Sequence, residues 1–375
     1  MEQTLFEFTL ITPQGDKASG SPQIVYLLAW SDDCDMAGTS EPMLQYIEES
    51  CHKKWKIKQV SAAFMLGVRR TLVEQDDGVW VLTLTQEEYI DGLVEAYKDQ
   101  IVLAGFGKAN PDSPVPKGEW LSLADEISDA EAEEVSKLGY KAVCGSLIWV
   151  SRFAHKEISE GISVACRVMS RPSRKAWKHC MQMCAWLRDN KRRGMRFRSD
   201  YAEHGLVASC DASNKPDKHD SRCQRSDVVQ WMGGTIGMGS CKLSHTGYGS
   251  PANEYMAIRA AASRVRKFRN MFIELGRHEV IAKPTQVYVD NNVAIHWVKT
   301  GKITEGNQYL DLAYHQPREW EKDGSVQIRA IHTEDNVSDL GSKPCGPTEM
   351  KRFLRVLCGY EKWEIKNDRP TITFT

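Results

Sequence analysis

An α/β fold is the class this sequence predicts, from three observations. Its 375 residues are 41% hydrophobic, enough to fill the cores of two or three domains. Short apolar runs rich in β-formers alternate with segments of helical periodicity. No run of about eighteen apolar residues occurs, so no membrane-spanning helix is expected. Lysine plus arginine number 49 against 50 aspartates and glutamates, so a role with nucleic acid must rest on local patches rather than on overall charge. Eleven cysteines lie scattered with no C-x2-C pair, which points to reduced thiols. The first residues, MEQTLFEFTLITPQGD, lack a basic start followed by an apolar core. An intracellular protein, cytoplasmic or nuclear and not secreted, is the expectation.

The elements follow in order. QIVYLLAW, AAFMLGVRRTL and GVWVLTLT read as strands, and QEEYIDGLVEAYKDQI as a helix. GKANPDSPVPKGEW, residues 107–120, reads as a linker from its three prolines and two glycines. The acidic stretch from Asp125 to Glu134 suits a solvated helix face. From Tyr140 to Asn190 the pattern is helical, and residues 167–198 carry eleven lysines and arginines against one acid, Asp189. Trp177, Trp186 and Phe197 interleave with those cations. A weaker idea, zinc held by His179, Cys180 and Cys184, finds three ligands at most on a helix; buried thiols are the simpler account.

From about residue 201 the order becomes three strands, helix, strand, helix, strand, helix. GLVASCDAS, VVQWMGGTIGMG and SCKLSH supply the three strands, and PANEYMAIRAAASRVRKFRNMFIELG a long helix. On that helix Tyr255, Ile258, Ala262, Val265, Phe268, Phe272 and Leu275 recur at three- and four-residue steps, which marks one buried face. TQVYVD, NNVAIHWVK and SVQIRAIH continue the alternation, and NVSDLGSK begins the last helix. Asp211 and Asp290 each close a strand, Glu254 lies early on the long helix, and Asp339 opens the final one. With those strands side by side in a mixed sheet, four acids from four elements could converge; the alternative is that acids at strand and helix starts are caps and surface charges. Like charges held that close need hard divalent cations, and two Mg²⁺ ions about 4 Å apart suit phosphodiester cleavage.

SCDAS, PANEYMAI, VYVDNNVAI and IHTEDNVSDLGSK, in this order, resemble the ribonuclease H domain of copia-type retrotransposon Pol proteins. The resemblance assigns the metal-binding quartet to Asp211, Glu254, Asp290 and Asp339, with Mg²⁺ as cofactor and Mn²⁺ as a substitute. It also suggests that His332 acts as a mobile catalytic histidine. Upstream, FMLGVRR, LTQEEYIDGLVEAY, DSPVPKG and GYKAVCGSLIWVSRF are similar to the end of the palm and the helical thumb of the same family's reverse transcriptase. The implied architecture is a truncated palm over residues 1–110, a helical thumb or connection over 111–200, and a ribonuclease-H-like mixed sheet with flanking helices over 201–375. Within the basic block, Arg174, Lys175, Lys178, Lys191, Arg192 and Arg193 would grip duplex phosphates.

WSDD, at residues 30–33, occupies the place of the family's Tyr-x-Asp-Asp polymerase signature, with Trp30 where tyrosine is usual. Asp32 and Asp33 become metal-ligand expectations for nucleotide addition. Only about twenty residues precede this hairpin, so the chain is not expected to polymerise alone. Two departures stand out. Near residue 308 the family's basic run is replaced by EGNQYLDLAYH, with Gln308 and Tyr309 in place of cations, and before Glu254 a proline and an asparagine replace the usual Thr-Glu-Ala. The resemblance implies a Mg²⁺-dependent ribonuclease H acting on RNA/DNA hybrids. Its partners are hybrid or primer-template duplexes and other parts of a Pol polyprotein, with no membrane. The alternative is a catalytically silent nucleic-acid-binding remnant or a reused host protein.

Overall fold

A computed structural model gives the structure. It describes residues 4–10, 23–30, 33–55, 57–58, 60–61, 63–108, 111–215, 217–361, 364–366 and 369–371. Two compact units divide the chain, Met1–Leu66 and Gly67–Thr375.

In the first unit β1 (Thr4–Leu10), β2 (Gln23–Trp30) and β3 (Asp33–Gly38) form an antiparallel sheet in that order. Trp30 pairs with Asp33, so WSDD does lie at a hairpin, while Ser31 and Asp32 fall outside the described residues. Helix α1 (Glu41–Lys54) was not anticipated; it starts with Glu41 and Pro42 and ends in His52, Lys53 and Lys54, charges that complement its dipole. Its Met43 and Ile47 bury with Val25 in a small core. The two-residue strand β4 (Phe64–Met65) follows.

The second unit opens with β5 (Val68–Glu74) and β6 (Trp80–Thr85), an antiparallel pair that β7 (Met195–Arg198) extends from far along the chain. Helices α2 (Glu87–Ala96) and α3 (Lys98–Ile101) come next. The proline-rich stretch expected as a linker is packed rather than loose: Ser113, Pro114 and Val115 are buried. Gln182 donates to the Ser113 carbonyl at 3.0 Å, so the strap's backbone is satisfied from a neighbouring helix. Helices α4 (Asp129–Lys137), α5 (Tyr140–Arg152), α6 (Ser159–Arg167) and α7 (Arg174–Asn190) carry the expected helical segment. Ser128 and Ser173 cap α4 and α7 by accepting from the N–H three residues on.

The remaining strands are β8 (Val207–Ala212), β9 (Gln224–Trp231), β10 (Gly234–Lys242), β11 (Thr285–Val289) and β12 (Val326–Ala330), in the spatial order β10-β9-β8-β11-β12. The first three form an antiparallel meander, and β11 runs parallel to both β8 and β12. Period-two alternation divides the neighbours Val228 and Val229 between two cores, one on each face of the sheet. Helix α8 (Ser250–Glu274) covers one face, and Tyr255, Ile258, Ala262, Val265 and Phe272 are buried there as the periodicity requires. Helices α9 (Asn292–Thr300) and α10 (Gln316–Lys322) complete that side.

The opposite face meets α5, α6 and α7 together with α11 (Asp339–Ser342) and α12 (Pro347–Leu357). The last helix is therefore two helices. Lys343 is extended, φ −149° and ψ 152°, because Pro344 disfavours the helical region in the residue before it. A short hairpin, β13 (Glu364–Lys366) with β14 (Arg369–Thr371), ends the described chain. Among the described residues no helix is long and apolar enough to cross a membrane.

Candidate metal centre

Parallel pairing of β8 and β11 brings their C-terminal ends to the same edge of the sheet. The register sets Gln286 against Val207 and Tyr288 against Ser209, and continuing it by one pleat sets Asp290 beside Asp211. Glu254, the fifth residue of α8, reaches the same edge. One carboxylate oxygen from each of Asp211, Glu254 and Asp290 lies within 4.8 Å of the others. Asp339, the first residue of α11, is the fourth acid, near enough to feel the charges of Asp211 and Asp290.

Burial makes this concentration of charge costly. Asp211 is 3% exposed, Glu254 4% and Asp339 5%. Burial, reinforced by the charges of Asp211 and Asp290, pushes the Glu254 carboxyl well above its ordinary range, although the Ala212 N–H donates to it. Asp339 is driven well up by burial and by Asp211, against the opposing ammonium of Lys343. Asp290 is raised by burial and by Asp211, while the Thr333 hydroxyl and Lys343 act the other way. Oε2 of Glu254 and Oδ1 of Asp339 are buried without a hydrogen-bond partner. Unpaired oxygen acceptors among mutually repelling carboxylates fit a hard divalent cation.

Several supporting groups carry no signal in the acid pattern itself. The Ser342 hydroxyl donates to Oδ2 of Asp211, and Lys343 Nζ lies 2.8 Å from Oδ2 of Asp339. Burial disfavours the Lys343 charge, yet Asp211 and Asp339 raise its pKa overall. The Asn336 amide donates to the Cys210 carbonyl at 2.9 Å, and the Ser209 and Ser338 hydroxyls are 2.6 Å apart. These bonds fasten the segment that carries Asp339 to β8. Only the short step from Asp339 to the oppositely charged Lys343 was a usable clue.

His332 is exposed just beyond β12, adjacent to the Thr333 that bonds Asp290. Asp33 is exposed on β3 of the first unit, and Asp32 lies outside the described residues. Among the described residues the acid triad is the only group of three or more such side chains close enough to share an ion. Cys180 and Cys184 are fully buried in the helical core, as thiols acting as small apolar groups would be.

Much of the basic block is engaged within the protein. Arg174 pairs with Glu134 at 2.5 Å, Lys175 with Glu119 at 3.6 Å, and Lys191 with Asp91 at 2.7 Å. Arg192 lies 3.4 Å from Glu87 and remains 86% exposed, and Lys178 is exposed. Arg193 instead turns inward, 2.7 Å from the fully buried Glu157, so its charge serves the interior. Charge counting could not separate these roles, because the partners come from 36 to 105 residues away.

Comparison with known proteins places this geometry in context. The chain is 22% identical over 323 residues, 85% of its length, to the retrovirus-related Pol polyprotein from transposon TNT 1-94 of Nicotiana tabacum. Against the Pol polyproteins from transposons RE1 and RE2 of Arabidopsis thaliana the identities are 22% and 21%, each over 88% of the chain. The chain spans only 21–23% of the length of these relatives. No family model matches it. Through most of its length the chain is thus similar to the retrovirus-related Pol polyproteins of transposons, in keeping with the copia-type resemblance that its ordered motifs carry.

Proposed function

We propose that the chain is a fragment of a copia-type retrotransposon Pol protein that acts as a ribonuclease H, cutting the RNA strand of RNA/DNA hybrids with Mg²⁺, or with Mn²⁺ in its place. The observation that carries this reading is the meeting of Asp211, Glu254 and Asp290 within 4.8 Å at one edge of a mixed five-stranded sheet. In this reading residues 201–375 form the ribonuclease-H-like domain, 111–200 a thumb or connection, and 1–110 part of a polymerase palm. Asp33 joins no group of three or more metal-ligating side chains among the described residues, so nucleotide addition is not proposed for this chain alone.

Asp211, Glu254, Asp290 and Asp339 would hold the ion. When bound, it supplies the counter-charge the carboxylates lack and polarises the phosphodiester. The chain's own groups prepare that setting. Ser342 fixes the rotation of the Asp211 carboxylate, and Lys343 holds Asp339 against repulsion from its neighbours. Covering helices keep water from three of the four acids, which strengthens each electrostatic interaction inside. His332, exposed at the rim, would carry a proton to the leaving 3′ oxygen. Selection of RNA over DNA follows from recognition of the 2′-hydroxyl and of hybrid shape. The exposed cations Arg174, Lys175, Lys178 and Arg192 would add salt-sensitive attraction to the duplex, whereas Arg193 would take no part.

A cleavage assay on an RNA/DNA hybrid in Mg²⁺ tests the proposal, with Asp290→Asn run beside the wild type. The variant is expected to lose about a hundredfold or more in rate, because it removes one of the anionic oxygen ligands that would hold the cation. No cleavage by the wild type, or equal cleavage by both proteins, would leave the silent nucleic-acid-binding remnant as the better account.

A further inference from the structure

At the same end of the five-stranded sheet as the carboxylates lies a second feature, a half-open cavity of about 400 Å³. Its lining includes Arg222, Ser244, His245, Tyr309, Asp311 and Tyr314. Topology sets it there: Asp211 pairs with Ser226 near the start of β9, and Lys242, at the end of β10, pairs with Gln224. Arg222 just before β9 and Ser244 just after β10 therefore share the edge where Asp211 ends β8. A side-chain bridge joins the two places. Tyr255, next to Glu254, has its hydroxyl 2.9 Å from Nδ1 of His315, the residue after Tyr314.

The lining has the chemistry of a nucleotide's complement. Tyr309 is 43% exposed, and its hydroxyl accepts from the Tyr248 N–H. The Tyr248 ring stands 6.2 Å from the Tyr309 ring at 64° and is 83% exposed. The His245 ring meets Tyr314 edge-on, 5.8 Å between centroids at 86°, and its Nε2 is 3.7 Å from Asp311. Arg222 gives Nε and Nη2 to Asp220 and keeps a second terminal nitrogen for another acceptor. Aromatic faces stack on any base, a guanidinium takes a phosphate, and a carboxylate accepts from exocyclic amino groups. The volume falls within the range of small-ligand sites. Bases inside a duplex have both faces covered, so an aromatic cavity selects an unpaired one.

We propose that this cavity binds one unpaired nucleotide of the strand that continues from the duplex at the carboxylates, with its base stacked on Tyr309 and its phosphate on Arg222. The continuity with the duplex rests on the nuclease reading; the binding itself does not.

The test uses the full chain and a short single-stranded RNA containing 2-aminopurine, in EDTA so that cleavage is silent. Binding should quench the fluorescence. Tyr309→Ala should weaken binding roughly tenfold, the loss expected for one base stacked on an aromatic ring. Tyr309→Phe, which removes only the hydroxyl, should still quench, and Tyr46→Ala, at an exposed ring of the first unit, should match the wild type. Absence of quenching by the wild type, or equal affinity for wild type and Tyr309→Ala, overturns the proposal. A protein that quenches but leaves hybrids intact in Mg²⁺ loses the nuclease reading and keeps this one; a protein that cuts hybrids yet ignores Tyr309→Ala does the reverse.

Discussion

Glu157 shows at the scale of one residue how a buried charge survives. It is 1% exposed, and a single oxygen, Oε1, receives His155 at 3.0 Å, Trp186 at 3.3 Å and Arg193 at 2.7 Å. Burial by itself would raise this carboxyl, but Arg193 and His155 hold it far below the ordinary 4.5. The sign of its contribution follows. A carboxylate depressed in the folded state stabilises above its unfolded pKa, and that stability is lost as pH falls toward the folded value. Glu157→Gln strands Arg193 in the interior and should cost about 3–5 kcal/mol at neutral pH. Thermal melts of both proteins should converge as pH drops through and below 4.5; a gap that stays constant with pH would refute the assignment. Glu254 and Asp339 behave oppositely, since neighbouring carboxylates add to burial and push both upward. One buried acid is held charged by cationic partners, and the others repel one another.

Helix α11 is the element on which the fourth carboxylate depends. It is a single turn of four residues, too short to be stable by itself, and its buried residues hold it in place. A side chain at Gly341 would collide with Ser226 Oγ and with Met238 Cε, so glycine lets this turn lie directly against β9 and β10. Gly341→Ala should therefore lift α11, move Asp339 from Asp211, and lower hybrid cleavage at least tenfold with little change in far-UV circular dichroism. Wild-type rates would show that the close approach does not matter. At this scale much was readable beforehand. The long α8 and the strand-helix alternation follow from period two and period 3.6 in the residues themselves, but VVQWMGGTIGMG, read as one strand, is a hairpin turning at Met232 and Gly233 between β9 and β10, and SCKLSH is the end of β10 rather than a strand of its own. The break between α11 and α12 was missed, although Pro344 signalled it, because the acid at the helix start drew the reading through the proline. Helix α1 was missed because only Met43 and Ile47 of its residues are buried, too few to make a periodic stripe.

For the whole molecule, the decisive feature is a sheet buried on both faces by helices from different parts of the chain. Val337, Leu340, Met350 and Phe353 share a core with Val143, Leu147, Ile162 and Met183, so the segment before residue 200 completes the interior of the segment after it. The proposed boundary at 200 thus runs through a shared interior. A fragment of residues 201–375 should expose that apolar face, bind a hydrophobic dye and melt without cooperativity, whereas 67–375 should melt as one transition. Equal, sharp melting of the two would count against a shared core. By itself the sequence determined the alternation of strands and helices and the acids that end or open them, because these are local properties of residue type and spacing. It also carried the resemblance to transposon Pol polyproteins, since motifs kept in order need no coordinates. Which acids share one point, which cations are already spent on internal partners, and which aromatic rings line a common cavity were decided only by the tertiary structure. Such distances depend on strand register and on residues far apart in the chain, and no local pattern encodes them.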